Sequence, residues 1–244
     1  MGKILQVLWR IWFALLAAIL TVTLAPFLLL FSTSVKLYPI FYRFGRVWGI
    51  VLTYGMGFFP KVKREFEGRL PYPHIMSANH TSYLDIFLAY RLFKRPLVFL
   101  GKKELSKIPL FGPLYAKVSV LVDRTSQESR KRVVNDSIER INNGQGMVIF
   151  PEGGIPKVPT LLSKFKRGAF KIAAETGVPI IPVTFADHKR KFPAYKMAGS
   201  MGRLRITIHK PEYAKGKTDA DVDELQNRVF NIIQEELKYY ESNR

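Results

Sequence analysis

Apolar and polar positions divide the chain into two unlike parts. From Ile11 to Val35 the sequence runs for 25 residues without a charge, long enough to cross a bilayer core of about 30 Å as a helix. After Lys36, Arg43 and Arg46, a second uncharged stretch from Val47 to Pro60 has 14 residues, too few to span comfortably. Beyond Gly68 the pattern becomes one of short apolar runs separated by amphipathic stretches, the signature of a sheet covered by helices. Strands are expected at Ile75 to Ala78, Leu97 to Leu100, Ser119 to Val122, Met147 to Phe150, Ile180 to Phe185 and Leu204 to Ile208.

Three helices stand out between and after these strands. One opens on a capping-box pair, Thr125 with Glu128, carries Val134, Ile138 and Ile141 on one face and stops at Gly144. A second is expected from about Lys164 to Thr176, ended by Gly177. The last starts near Thr218 and buries Val222, Leu225, Val229, Ile232 and Ile233. The predicted fold is therefore α/β: a mixed, largely parallel central sheet flanked by helices, with an N-terminal membrane-embedded helical pair. Residues 1–60 form the apolar anchoring helices and 61–244 the α/β unit.

Charge refines the reading of the first part. Residues 1–64 contain no acid, while Lys3, Arg10, Lys61, Lys63 and Arg64 bracket the apolar region, so the positive-inside rule favours both ends on the cytoplasmic side of the cytoplasmic (inner) membrane. An arginine at mid-bilayer costs about 2.5–3.5 kcal/mol even on the lenient scale, which places Arg43 and Arg46 among headgroups. Trp9, Trp12, Tyr38, Tyr42 and Trp48 suit the same interface. Two helices dipping into one leaflet is the preferred topology, and a two-pass hairpin is the alternative. The apolar run is too long for a secretory signal peptide and leads into more apolar sequence.

A net charge of +19, from 38 Lys and Arg against 19 Asp and Glu, points to anionic partners. Nucleic acid is not expected, because the chain has no zinc-finger ligands, basic zipper or aromatic ribonucleoprotein signature. With no cysteine, disulfides and thiolate catalysis are excluded. The four histidines, His74, His80, His188 and His209, lack zinc-binding spacing, so no metal is expected. The segment Asp187 to Met201, with His188, Lys189, Arg190 and Lys191, reads as a basic surface loop, either facing lipid headgroups or simply solvated.

Candidate chemistry lies at strand ends. Ser77-Ala-Asn-His-Thr-Ser-Tyr-Leu-Asp85 follows one strand and opens a helix, the position where α/β sheets bind ligands. His80 has the titration range of a general base for a hydroxyl, and a carboxylate can orient the ring. Residues five apart on a continuous helix lie about 140° from each other. His80 and Asp85 therefore meet only if His80 precedes the helix, with Thr81 or Ser82 as N-cap and Asp85 in the first turn. The competing reading makes Ser82 and Asp85 a capping pair and nothing more; spacing leaves both open. No G-x-S-x-G elbow is present, so direct attack by a substrate hydroxyl is simpler than an acyl-enzyme.

Phe150-Pro-Glu-Gly-Gly154 forms a second strand-end loop, where Glu152 is a candidate ligand for polar hydroxyls and the glycines admit a close approach, with an ordinary turn as the alternative reading. Lys102 in Gly101-Lys-Lys103, Arg124 in Val122-Asp-Arg124, and the group Lys164, Lys166 and Arg167 are candidates to hold a phosphate. Arg124 leads, followed by Lys102.

In series, N-H-T-S-Y-L-D at 79–85, G-K-K-E-L with I-P-L-F-G and V-D-R across 101–124, F-P-E-G at 150–153, F-K-R-G at 165–168 and V-P-I-I-P-V at 178–183 resemble the blocks of the glycerolipid acyltransferases, in particular those acting on lysophosphatidic acid. The resemblance covers roughly residues 62–185. It implies acyl transfer from an acyl carrier protein or coenzyme A thioester to the sn-2 hydroxyl of lysophosphatidic acid, giving phosphatidic acid, with no cofactor. It also implies His80 as base, Asp85 as its partner, and glycerol phosphate held by Arg124, Lys102, Glu152 and Gly153. The same pair would serve glycerol-3-phosphate or another lysophospholipid, and a non-catalytic membrane-surface binding protein is the alternative of another class. Where the family continues its third block with Thr-Arg-Ser, this chain has Gly154, Ile155 and Pro156, which shifts phosphate binding toward Arg124 and the lysines.

Overall fold

The computed structural model describes residues 2–108, 111–123, 126–156 and 160–243. Its centre is a seven-stranded sheet built from β1 (Phe58–Arg64), β2 (Ile75–Ala78), β3 (Leu97–Lys102), β4 (Ser119–Val122), β5 (Gly146–Ile149), β6 (Ile180–Phe185) and β7 (Gly202–Ile208) in the order β1-β7-β6-β2-β5-β3-β4. β6, β2, β5, β3 and β4 are mutually parallel. β7 runs antiparallel to β6 and pairs in parallel with β1. The expected mixed, largely parallel sheet is therefore the observed one.

β2, β5 and β6 are buried at every position, as apolar runs must be when helices cover both faces. Alternate side chains sort to opposite sides. Ile75, Met147 and Ile180 pack with helices α5 (Gln127–Asn142), α6 (Gly168–Thr176) and α8 (Asp219–Ser242), through Val133, Phe170 and Leu225. Met76, Val148 and Ile181 face α1 (Lys3–Phe31), α2 (Tyr38–Gly55) and α3 (Leu84–Leu92), through Trp9, Leu52 and Leu88.

Helix starts follow their caps with small differences from the sequence reading. α8 begins at the full capping box of Thr218 and Asp221, and its buried positions include Val222, Leu225, Val229 and Ile233, with Ile232 half-buried. At α5 the observed N-cap is Ser126, whose hydroxyl accepts the Ser129 N–H; Thr125 lies outside the described residues. α6 starts at Gly168 rather than near Lys164 and ends at Gly177 with φ +70°, the left-handed cap expected of glycine.

The N-terminal pair departs most. α1 has 29 residues with mean hydropathy 2.5 and is the one helix among the described residues long and apolar enough to cross a membrane, by length and composition. α2 packs against α3 along one side and leaves Val47, Val51 and Tyr54 exposed on the other. Tyr42 and Leu52 are fully buried, and a Cβ on Gly49 would lie 2.6 Å from the Phe87 carbonyl oxygen of α3. Trp9, Tyr38 and Tyr42, expected at a lipid interface, belong to the core instead. Arg46, expected among headgroups, donates its guanidinium to the Tyr90 and Phe93 carbonyls at the end of α3, a satisfying site for a cation. Arg43 remains exposed. The sequence after α2 turns at Gly57, φ +74°, into β1, a strand the apolar pattern hid. β1 crosses residue 60 and carries Lys61, Lys63 and Arg64 at the sheet edge, where such charges discourage edge-to-edge pairing.

Candidate active site

Parallel pairing brings the carboxyl ends of β6, β2, β5, β3 and β4 to one edge of the sheet. β2 runs out at Ala78, and Asn79 substitutes side-chain for backbone pairing: its Nδ2 donates to the Phe185 carbonyl at 3.0 Å while its Oδ1 accepts the Phe185 N–H at 2.8 Å. That double bond ties the end of β2 to the end of β6. The chain then turns through His80, Thr81 and Ser82 into α3, which places Asp85 in its first turn.

Asp85 is fully buried and collects donors on both oxygens. Oδ2 accepts His80 Nδ1–H at 2.8 Å, the Thr81 N–H at 2.7 Å and the Ser82 N–H at 3.0 Å. Oδ1 accepts His188 Nδ1–H at 2.6 Å. The N-cap of α3 is Tyr83, with no side-chain cap, rather than the expected Thr81 or Ser82; Asp85 instead ties the amides of the preceding turn and holds the imidazole with the same oxygen. Burial pushes the Asp85 carboxyl up, but the hydrogen bonds from His188 and His80 outweigh it and hold the group at about 2. Asp85 is therefore an anion at neutral pH, so the proton of the contact lies on His80 Nδ1, and Nε2 is the ring nitrogen turned away from the carboxylate. The ring stacks on Phe150 at 4.1 Å between centroids and 15° between planes, and its side chain is 14% exposed. Such an arrangement can accept a proton from a hydroxyl on the open side.

Glu152 sits at the end of β5 with both oxygens engaged by backbone: Oε1 accepts the His80 N–H at 2.7 Å and Oε2 accepts the Ser163 N–H at 2.9 Å. Burial raises its carboxyl above the ordinary range, against the opposing pull of those amides. Glu152 thus braces the backbone of the loop that carries His80. Gly153 adopts φ +78°, and a Cβ there would meet Lys166 Cε at 2.7 Å, so Lys166 lies across this loop.

The other phosphate candidates are dispersed. Lys102 stands at the same edge at the end of β3, exposed, 3.6 Å from Glu104. Arg124 lies outside the described residues. Arg167 is turned to α8, with ion pairs to Asp219 at 2.9 Å and Asp223 at 2.7 Å. Lys164 and Lys166 are exposed.

The segment after β6 is not a surface loop throughout, and its first residues correct the sequence reading. His188 opens the short helix α7 (His188–Lys191) and is fully buried, stacked on Phe185 at 4.3 Å. Asp187 beside it is pinned by the Arg205 backbone N–H at 2.8 Å and by Nε and Nη2 at 2.9 and 2.8 Å. Burial pushes its carboxyl up, but Arg205 holds it at about 2. His188 follows the end of β6 by three residues much as His80 follows β2 by two, so strand-end position was its signal; the run of cations after it obscured that signal.

The Acyltransferase family model matches residues 61–186, which contain both His80 and Asp85. The chain is 31% identical to the 1-acyl-sn-glycerol-3-phosphate acyltransferase BAT2, chloroplastic, of Brassica napus over 88% of its own length and 62% of that protein. It is 34% identical to the 1-acyl-sn-glycerol-3-phosphate acyltransferase of Escherichia coli (strain K12) over 67% of its own length and 66% of the relative. The chain therefore spans somewhat less than two thirds of these relatives. The crystal structure of the 1-acyl-sn-glycerophosphate acyltransferase PlsC from Thermotoga maritima superposes with a TM-score of 0.77 at 26% identity, covering 98% of both chains.

Proposed function

Because this chain belongs to the acyltransferase family, we propose that it moves a fatty acyl group from an acyl carrier protein or coenzyme A thioester to the sn-2 hydroxyl of lysophosphatidic acid, forming phosphatidic acid. The observation that carries this reading is the His80–Asp85 contact of 2.8 Å at the carboxyl edge of the sheet, with Nε2 the only ring nitrogen left to act. His80 Nε2 takes the proton of the acceptor hydroxyl as its oxygen attacks the thioester carbonyl carbon. The tetrahedral adduct then expels the thiolate as the C–S bond breaks, and the imidazolium returns the proton to sulfur. Asp85 stabilises the transient imidazolium. Positioned base catalysis of this kind contributes about 10²–10⁴ in rate, and a thioester is already an activated acyl donor.

Lys102, Arg124 and Lys166 supply the cationic groups for the acceptor phosphate, and Gly153 lets backbone and ligand approach closely. Relatives named for 1-acyl-sn-glycerol-3-phosphate support that acceptor. The exposed apolar stripe of α1 supports association with the cytoplasmic face of a bacterial membrane, from which the lipid acceptor reaches the base without leaving the leaflet.

The deciding experiment is a transfer assay on purified protein with labelled acyl thioester and lysophosphatidic acid. His80→Ala is expected to lose at least about 10²-fold in turnover. A folded His80→Ala protein that retains wild-type turnover would remove the base from the mechanism.

A further inference from the structure

Asp85 serves two imidazoles, and only one of them reaches the open side of the site. His80 is partly exposed and occupies Oδ2; His188 is fully buried and occupies Oδ1. An aspartate carboxylate turns about a broad, roughly two-fold torsion, so bonds to a single oxygen leave its plane poorly fixed. With Thr81 and Ser82 amides also on Oδ2, the His188 bond is the one contact among the described residues that holds the opposite oxygen.

We propose that His188 is a positioning residue for the acyl transfer described above: its Nδ1–H fixes Asp85 so that Oδ2 stays aligned with the His80 ring. The proposal rests on His80 acting as the base. His188 touches no open surface and contacts no reacting atom, so its effect passes through Asp85 alone.

Its own mounting is rigid. The ring lies on Phe185, and α7 is tied at one end by Asp187 to Arg205. At the other end the Phe192 carbonyl accepts the Ser82 hydroxyl at 2.6 Å, and Arg10 of α1 covers the Phe192 ring at 3.7 Å. His188 Nε2 is buried with no hydrogen-bond partner among the described residues. Buried polar atoms are seldom left so, and an asparagine would supply the same donor to Asp85 without a second ring nitrogen. A ring is thus held here with one nitrogen committed to the carboxylate and the other unused by packing.

The test uses the full chain with three variants, His80→Ala, His188→Ala and His188→Asn, assayed for kcat and KM and followed by ¹⁵N NMR of histidine-labelled protein. His188→Ala should lower kcat by about 10- to 100-fold, the range seen when the partner orienting a functional imidazole is removed from metal sites, with KM for lysophosphatidic acid unchanged. Its His80 Nδ1 resonance should move. His188→Asn, whose amide nitrogen sits near the lost Nδ1, should recover kcat to within about threefold of wild type. A role confined to stability would lower the melting temperature while leaving kcat and the His80 resonance in place, and that result overturns the proposal. Should His188→Ala fail to fold, the wild-type ¹⁵N shifts decide: a proton on His188 Nε2 rather than Nδ1 also overturns it. An inactive His80→Ala beside a fully active His188→Ala removes this inference alone, whereas an active His80→Ala removes the base on which it rests.

Discussion

The Glu152 carboxylate accepts the backbone N–H of His80 at 2.7 Å, so an acid from the end of β5 fixes the main chain of the loop that carries the proposed base. Its second oxygen is taken by Ser163 N–H at 2.9 Å. Glu152→Gln replaces one acceptor with an NH₂ donor facing a backbone donor. Losing a hydrogen bond to a charged acceptor costs about 1.5–3 kcal/mol, equivalent to roughly 10- to 100-fold. The expected outcome is a fall in kcat of that order with KM for lysophosphatidic acid little changed. Steady-state kinetics check it: a rise in KM with kcat intact would return Glu152 to the substrate.

Acid should loosen the site in a defined window. Burial raises the Asp85 carboxyl and the two imidazole hydrogen bonds lower it, with the bonds prevailing, so it titrates at about 2 instead of the ordinary 3.8. A depressed carboxyl adds stability that is fully present above the unfolded value and disappears as pH falls toward the folded one. Urea unfolding at pH 5 and pH 2.5 should show wild type losing more stability than Asp85→Asn between the two conditions, by an amount on the order of 1–2 kcal/mol. Asp187, also held near 2, titrates in both proteins and cancels in the difference. Equal losses would mean that Asp85 is not the anion its contacts describe.

Much of this arrangement was legible before the fold was seen, for local reasons. The interior strands are continuous apolar runs, the apolar face from Val222 to Ile233 marks α8 with its start near Thr218, and five-residue spacing allowed His80 and Asp85 to meet only if His80 preceded the helix. What stayed hidden depends on contacts distant along the chain. His188 meets Asp85 across a separation of 103 residues, and inside His-Lys-Arg-Lys it looks like one more surface cation. β1 follows an apolar helix so closely that Phe58 and Phe59 read as its continuation, and only pairing with β7 makes the segment a strand. Arg46 reads as a headgroup ligand until the carbonyls at the end of α3 are seen to receive it. Hydropathy reports that a segment leaves water; it does not say whether lipid or protein receives it.

α2 and α3 test that distinction directly. Gly49 faces the backbone of α3, where a Cβ would come within 2.6 Å of the Phe87 carbonyl oxygen, an atom that cannot swing aside. Gly49→Ala should therefore destabilise by about 1–3 kcal/mol through overpacking, despite alanine's better helix propensity. Thermal unfolding of the detergent-solubilised protein measures this. A melting temperature equal to or above wild type would show that α2 does not dock on α3 as closely as described.

α1 presents the opposite case, an apolar surface that no protein covers. Ile4, Leu8, Ile11, Leu15, Ile19 and Val22 recur at intervals of three and four along the helix and are each at least half exposed, while Phe13, Leu16, Ala17 and Leu20 turn inward against the core. Leu5, Val7, Trp12, Phe27, Leu29 and Leu30 widen this exposed surface, and such a face on a helix fastened to its domain through Trp9 and Arg10 suits lipid more than an aqueous surface. Removing residues 1–60 is a poor test, because Trp9, Tyr42, Leu52, Met56 and Phe58 would leave the core and the remainder would unfold. Leu8→Glu with Leu15→Glu spares the packed face. Each exchange forfeits about 1.5–3 kcal/mol of apolar burial in lipid and adds a charge. The double variant should keep its circular dichroism spectrum and pass from the membrane pellet to the supernatant at high salt. A folded double variant that still sediments with membranes would show that a surface other than α1 makes the attachment.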